Sequence, residues 1–272
     1  MTFDHLTESQ AALGGADGRP TAIDLKGVSK TFKTKTGSVQ ALGRVDAQVP
    51  EGEFLCVVGP SGCGKSTILK IISGLLPPSE GSVEVFGERV TGTYRDVGFV
   101  FQNPVLLKWR TVLDNVLFPI EILRLPRRKY VKRAQELLEL VGLGAFESSY
   151  PHQLSGGMQQ RAAIARALIH DPRLLLMDEP FGALDQITRE QMNIELARIW
   201  AETGKTTVLI THSIEEAVFL GDRVMVMAPR PSRVASVVPV DLMRPRRGPD
   251  RQTPAFNEIE RRVDRALAVS FD

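Results

Sequence analysis

The chain has 272 residues, 43% of them hydrophobic and 24% charged, with a formal net charge of +2. These fractions are ordinary for a globular protein, and the length allows one large or two small domains with a sizeable core. Apolar runs such as Leu174 to Met177 are short, far below the roughly 20 residues of a membrane helix. No dense basic stripe suggests nucleic acid, and two cysteines, Cys56 and Cys63, make no disulfide framework, so free thiols in a reducing compartment are expected.

Residues 1–20 are rich in Gly, Ala and polar side chains and read as a disordered leader. They lack a basic start followed by an apolar stretch, so no secretory signal is expected and the chain is expected to stay in the cytoplasm. A strand pattern begins at Thr21, with Ile23, Leu25 and, beyond a kink at Gly27, Val28. Phe54 to Val58 is a continuous apolar run, which suits a strand buried on both faces. Helical spacing follows from Ser66 to Ser73, ended by Gly74 and Pro77-Pro78, and Ser82 to Phe86 alternates as a short strand. The stretch from about 102 to 170 reads as mostly helical: Val131, Ala134, Leu138 and Val141 share one face, and a second helix runs from Gly156 to Ile169. Buried strands return at Leu174 to Met177, Thr207 to Ile210 and Val224 to Met227, with a helix around Glu190 to Ala201.

Strands alternating with helices indicate a mostly parallel α/β sheet, and the helical stretch interrupts that alternation as an inserted subdomain. The expected organisation is a domain over 21–240, with the helical insert at about 102–170, then a linker and C-terminal helix over 241–272. The linker is Pro/Arg-rich (Arg244 to Pro249), and its charges, like those of Arg127-Arg128-Lys129, read as solvated faces that an anionic lipid surface attracts weakly. The last helix carries Phe256, Ile259, Val263 and Leu267 on one side and is expected to pack on the core or across a dimer.

Gly59-Pro60-Ser61-Gly62-Cys63-Gly64-Lys65-Ser66-Thr67 fits the phosphate-loop pattern G-x-x-x-x-G-K-[ST] between a buried strand and a helix. The glycines let backbone N–H groups surround an anion, and the helix adds the positive end of its dipole. Lys65 is expected to reach the β- and γ-phosphates of ATP and Ser66 to help hold Mg²⁺. The Cys63 thiol is expected to be incidental, although alkylating it should block the site. Leu174 to Met177 leads into Asp178-Glu179, at the carboxyl end of a strand, where ligands bind in open α/β sheets. Asp178 is then expected near Mg²⁺ through water, and Glu179 is expected to orient and deprotonate an attacking water.

Leu154-Ser155-Gly156-Gly157-Met158-Gln159-Gln160-Arg161 narrows the class. Ser155 suits a helix N-cap and Gly156-Gly157 open the helix, giving a second phosphate-binding helix terminus. The segment resembles the signature motif of ABC-transporter ATPases. The family's other motifs follow in order: Gln102 in the Q-loop, Ala183-Leu184-Asp185 as the D-loop, and His212 in the place of the switch histidine. Phe32 stands where the family stacks an aromatic ring on adenine; packing in the core is the alternative. The resemblance covers about residues 21–240. It implies an α/β P-loop NTPase (ABC ATPase) three-layer core, with an N-terminal antiparallel β part and the inserted helical subdomain. It also implies Gln102 as a further Mg²⁺ contact, His212 at the γ-phosphate, and a homodimer in which Leu154, Ser155, Gly156, Gly157 and Gln159 serve the opposite subunit's ATP. His152 and His170 lack such placement and read as structural.

Leu106 to Val116 and Met227 to Arg233 resemble the ATPases of nitrate, sulfonate and taurine importers. In these relatives the stretch after the Q-loop receives a coupling helix of the permease, and Trp109 suits such a groove; packing inside the subdomain is the alternative. Lys108, Ser213 and Phe32 depart from the commoner proline, acid and tyrosine, and none of these changes removes a catalytic group. The resemblance thus implies a peripheral ATPase on the cytoplasmic face of the inner membrane. Its expected partners are permease subunits and, indirectly, a solute-binding protein, with no nucleic acid. The rival readings are an ATPase of an exporter or lipid-transport complex, and a soluble ABC ATPase outside transport.

Overall fold

The structure, a computed structural model, describes residues 18–35, 37–182 and 184–270. The leader expected at 1–20 therefore lies almost wholly outside the described residues, as does Ala183. The chain divides into two compact units, one formed by residues up to Arg95 together with Gly204 onward, the other by Asp96–Thr203.

In the first unit, β1 (Thr21–Thr34) pairs antiparallel with β2 (Gly37–Pro50) and with β4 (Glu80–Val85), and β4 pairs with the two-residue β5 (Glu88–Arg89). The kink expected at Gly27 is a register shift between Leu25 and Val28. A second set of strands runs in the order β10 (Val234–Pro239), β9 (Arg223–Met227), β3 (Phe54–Val58), β8 (Thr206–Ile210). β3 is parallel to both neighbours and all five of its residues are buried, as its unbroken apolar run demands. Helix α1 (Lys65–Ile72) leaves β3 through the glycine-rich loop and buries Ile68, Leu69, Ile71 and Ile72.

The second unit pairs β6 (Val97–Val100) in parallel with β7 (Leu174–Asp178). The unit also holds α2 (Val112–Ile122), α3 (Arg127–Leu140), α4 (Gly156–Leu168), which packs on β6, and α5 (Gln186–Thr203). The unit contains the helical stretch expected at about 102–170 and adds β6, β7 and α5 to it. The segment 101–111 is not helical. Asn115, fully buried, holds it instead: its side chain accepts the Leu107 N–H at 2.7 Å and donates to the carbonyls of Leu107, Arg110 and Thr111.

Back in the first unit, α6 (Ile214–Leu220) follows β8, and α7 (Pro254–Val269) closes the chain. Phe256, Ile259 and Val263 are buried where α7 packs on α6, β9 and β10, while Leu267, expected on the same side, is only half-buried.

Candidate functional site

Register decides which motifs meet. In the first unit Val57 pairs with Ile210 and Val58 with Val226, all in parallel strands. Gly59 and His212 each lie two residues past the Val57–Ile210 pair, at the carboxyl ends of neighbouring strands about 4.8 Å apart. The Thr211 N–H donates to the Val57 carbonyl at 3.2 Å and carries the strand edge up to the histidine. Gly59 admits no side chain: a Cβ there would stand 2.7 Å from the Met227 carbonyl oxygen.

Helix α1 begins at Gly64 with no side-chain cap, so the loop backbone and the first turn's N–H groups form the anion-binding end. Lys65 is 5% exposed, and its ammonium donates to the carbonyls of Gly59 at 2.8 Å and Pro60 at 3.0 Å. A cavity of about 670 Å³ belongs to the second unit; here the loop borders a smaller one of about 330 Å³, lined by Pro60, Ser61, Gly62, Cys63, Pro229 and Arg230. Arg230 Nε donates to the Gly62 carbonyl at 2.5 Å. Cys63 is 1% exposed, and burial pushes its thiol pKa up, so the thiol is a slow target for alkylation in the folded protein. Phe32, facing Val39 across the β1–β2 pair, is 38% exposed, so its ring is not a core residue; the Lys30 ammonium lies 5.4 Å from the ring centre.

The second unit repeats the device with different chemistry. Val100 pairs with Met177, so Gln102 and Glu179 again lie two residues beyond a parallel pair. Their side chains meet: Gln102 Nε2 donates to Glu179 Oε2 at 3.2 Å. Glu179 holds φ at +46°, a left-handed conformation that turns the chain out of β7 just past Asp178. The Gln102 segment is tied to α4 from within. Gln160 donates to the Phe101 carbonyl at 3.3 Å, and the Arg166 guanidinium donates to those of Pro104 at 2.7 Å and Val105 at 2.8 Å. Burial of Arg166 lowers its pKa.

Ser155 caps α4, its hydroxyl accepting the Met158 N–H at 3.3 Å; Ser155 and Gly156 are exposed, while Leu154 is buried. Gln159 turns back to the carbonyls of Pro151 and Leu154. Gly157 packs so tightly that a Cβ would meet Thr188 Cγ2 at 3.1 Å. The cavity of about 670 Å³ opens beside these residues, bordered also by Arg161, Asp185 and Arg198. Asp185 caps α5, accepting the Thr188 N–H at 3.0 Å and its hydroxyl at 2.7 Å, and these bonds lower its carboxyl pKa. Trp109 is 75% exposed, which removes the reading in which it packs inside the subdomain. His170 is lodged against the Val97 carbonyl, and burial lowers its pKa; His152 stacks on Tyr150.

A family model described as ABC transporter matches residues 42–182. The chain belongs to the ABC transporter family. The match takes in the phosphate loop, Gln102, the signature and Asp178-Glu179; Phe32 and His212 lie outside it. The aliphatic sulfonates import ATP-binding protein SsuB of Bacillus cereus is 43% identical over 242 residues, 89% of this chain and 94% of that one. The taurine import ATP-binding protein TauB of Rhizobium johnstonii is 51% identical over 207 residues, 76% and 79% of the two chains. Among solved structures, the dimeric structure of MJ0796, a bacterial ABC transporter cassette, superposes with a TM-score of 0.73 at 38% identity, covering 81% of this chain and 100% of that one. The fold is that of an ABC ATPase, and the protein binds and hydrolyses ATP.

Several groups that support this ABC ATPase's motifs escaped the sequence reading. The Arg244 to Arg247 charges were expected to be a solvated face. Instead Arg246 is 5% exposed and Arg244 pairs with Asp222 at 2.8 Å. Arg127, expected in a solvated run, pairs with Asp114 at 2.5 Å and Glu121 at 2.7 Å, and Arg110 shares Glu121. The contacts of Arg230 and Arg166 were not legible, because their partners are backbone carbonyls, which no residue type announces.

Proposed function

We propose that the protein is the ATP-hydrolysing subunit of an importer for a small sulfonate- or taurine-like nutrient. It works as a homodimer on the cytoplasmic face of a membrane, against permease subunits that receive substrate from a solute-binding protein. The observation that carries the hydrolytic part is the hydrogen bond between Gln102 and Glu179 at 3.2 Å, which pairs a base with a group able to orient water. The importer part is supported by the likeness to import ATP-binding proteins along most of the chain and by Trp109, an exposed aromatic anchor on the segment after Gln102.

In this reading adenine stacks on Phe32, and the N–H groups of Gly59 to Thr67 hold the phosphates. The Lys65 ammonium exchanges the carbonyls of Gly59 and Pro60 for phosphate oxygens. Water attacks the γ-phosphorus, Glu179 takes the water proton, and the bond to the ADP oxygen breaks. His212 contacts the γ-phosphate and reports its presence. Leu154, Ser155, Gly156, Gly157 and Gln159 of a second copy close over the same nucleotide. Asp185, already capping α5, carries the D-loop through that dimer. Ser66 and Gln102 offer the hard oxygen donors that Mg²⁺ takes, and Asp178 would reach it through water. When bound, Mg²⁺ would neutralise phosphate charge.

The test is purification of the tagged protein from gently solubilised membranes. A multi-span permease should accompany it, and a sulfonate-loaded binding protein should raise the ATPase rate of that complex. Recovery without a permease, or with one that exports, overturns the importer reading.

A further inference from the structure

The segment after β10 grips a single element. Helix α6 has only seven residues, about 10 Å of length, and a helix so short is not stable by itself. Its carbonyl end is satisfied by arginines from 244–246. Arg246 Nη1 donates to the carbonyls of Val218, Phe219 and Gly221 at 3.0, 3.1 and 2.6 Å, while Nη2 reaches those of Val240 and Leu242. Arg244 donates to the Leu220 carbonyl. A cation at a helix carboxyl end also complements the dipole. Burial, helped by the neighbouring Arg244 charge and only partly offset by Asp222 and Asp250, brings the Arg246 pKa down to about 10.

Arg251 holds the other end. Its guanidinium pairs with Glu215, in the first turn of α6, at 2.8 Å and lies 4.2 Å from the centre of the Phe219 ring. Two of its nitrogens, Nε and Nη2, are buried without a hydrogen-bond partner, a costly arrangement for stability alone. Helix α7 then covers α6 through Phe256, Ile259 and Val263.

What α6 carries is His212. On the strand side the histidine is fixed by the bond from Thr211 to Val57. On the helix side Ser213 caps α6, its hydroxyl accepting the Glu216 N–H at 3.2 Å, while the Ser213 N–H donates to Thr211 Oγ1 at 3.0 Å. A tilt of α6 therefore turns the backbone of His212.

We propose that the C-terminal segment is a clamp whose Arg246 and Arg251 are positioning residues for His212, so that this segment sets the rate of ATP hydrolysis without touching nucleotide. The proposal rests on the reading of His212 as the γ-phosphate contact. The clamp residues, like His212, lie beyond the 42–182 family match.

The test uses the full chain with Arg251→Met, which keeps the apolar stem, and Glu215→Gln, which removes the ion pair at a half-exposed site and carries the test if the first variant melts early. Each should lower kcat about 3- to 10-fold with KM for ATP unchanged. Combined with His212→Ala, each should cost nothing further. Losses that multiply in the His212→Ala background, or no loss in either single variant, overturn the clamp. The His212 ring resonances, one set among four histidines, should shift in both single variants; unmoved resonances also overturn it. Should His212→Ala hydrolyse ATP at the normal rate while those resonances shift in the clamp variants, the γ-phosphate reading fails and the positioning stands.

Discussion

The two strand edges that carry the motifs are built alike and work differently. Each is a parallel pair whose residues two positions beyond the last partners stand side by side: Gly59 and His212 past Val57–Ile210, Gln102 and Glu179 past Val100–Met177. At the first edge the loop backbone presents the proposed phosphate contacts, joined by the side chains of Lys65 and His212; Gly59 leaves no room for a side chain, and the Cys63 thiol is buried. At the second edge the side chains of Gln102 and Glu179, the proposed reagents, meet directly, and the backbone of the Gln102 segment is held in place by Gln160 and Arg166. Where the backbone makes the contact, added volume does the damage; where a side chain makes it, a change of chemistry does.

Three substitutions bear on that contrast. Glu179→Gln should have the largest effect, keeping ATP affinity while lowering single-turnover hydrolysis about 10²- to 10⁴-fold; hydrolysis at the normal rate would show that the second edge does not depend on its carboxylate. Arg166→Met should come next. It leaves the carbonyls of Pro104 and Val105 without their donor, at a cost of roughly 1–3 kcal/mol. Hydrogen exchange over 101–111 should quicken, and the melting temperature should fall by several degrees; unchanged protection there would mean that Asn115 alone holds the strap. Cys63→Ala should do least, leaving the Kd for ATP within about twofold of the parent, because the thiol is buried and uncharged. Iodoacetamide should label Cys63 in guanidinium and scarcely at all in the native protein, and fast native labelling would contradict its burial.

The motifs were legible because each is contiguous: a glycine run, a pair of acids after an apolar strand, a serine followed by two glycines. The strands that frame them were legible in proportion to their burial. Phe54 to Val58 and Thr207 to Ile210 announce themselves by unbroken apolar character, whereas β6 has only four residues with Gly98 among them, and β10 is an edge strand, half-exposed and ending in Pro239. β2 was hidden because its first four residues, Gly37 to Gln40, are exposed and Gly43 breaks the alternation. Register was not legible, and with it went the meeting of Gln102 with Glu179. The arginines misled for a different reason. Arg246 sits in a run of like charges, which normally marks a solvated face, yet it satisfies the end of a helix more than 20 residues earlier in sequence.

The backbone of Glu179 carries one more implication, for anyone who would evolve this protein in the laboratory. A side chain held at φ +46° costs about 1–2 kcal/mol that glycine does not incur. A library screened only for survival of heating would therefore drift toward Glu179→Gly, gaining robustness as it discards its proposed base. Heat resistance and turnover pull in opposite directions at that one residue, so any stabilisation campaign has to keep an ATPase assay beside the thermometer.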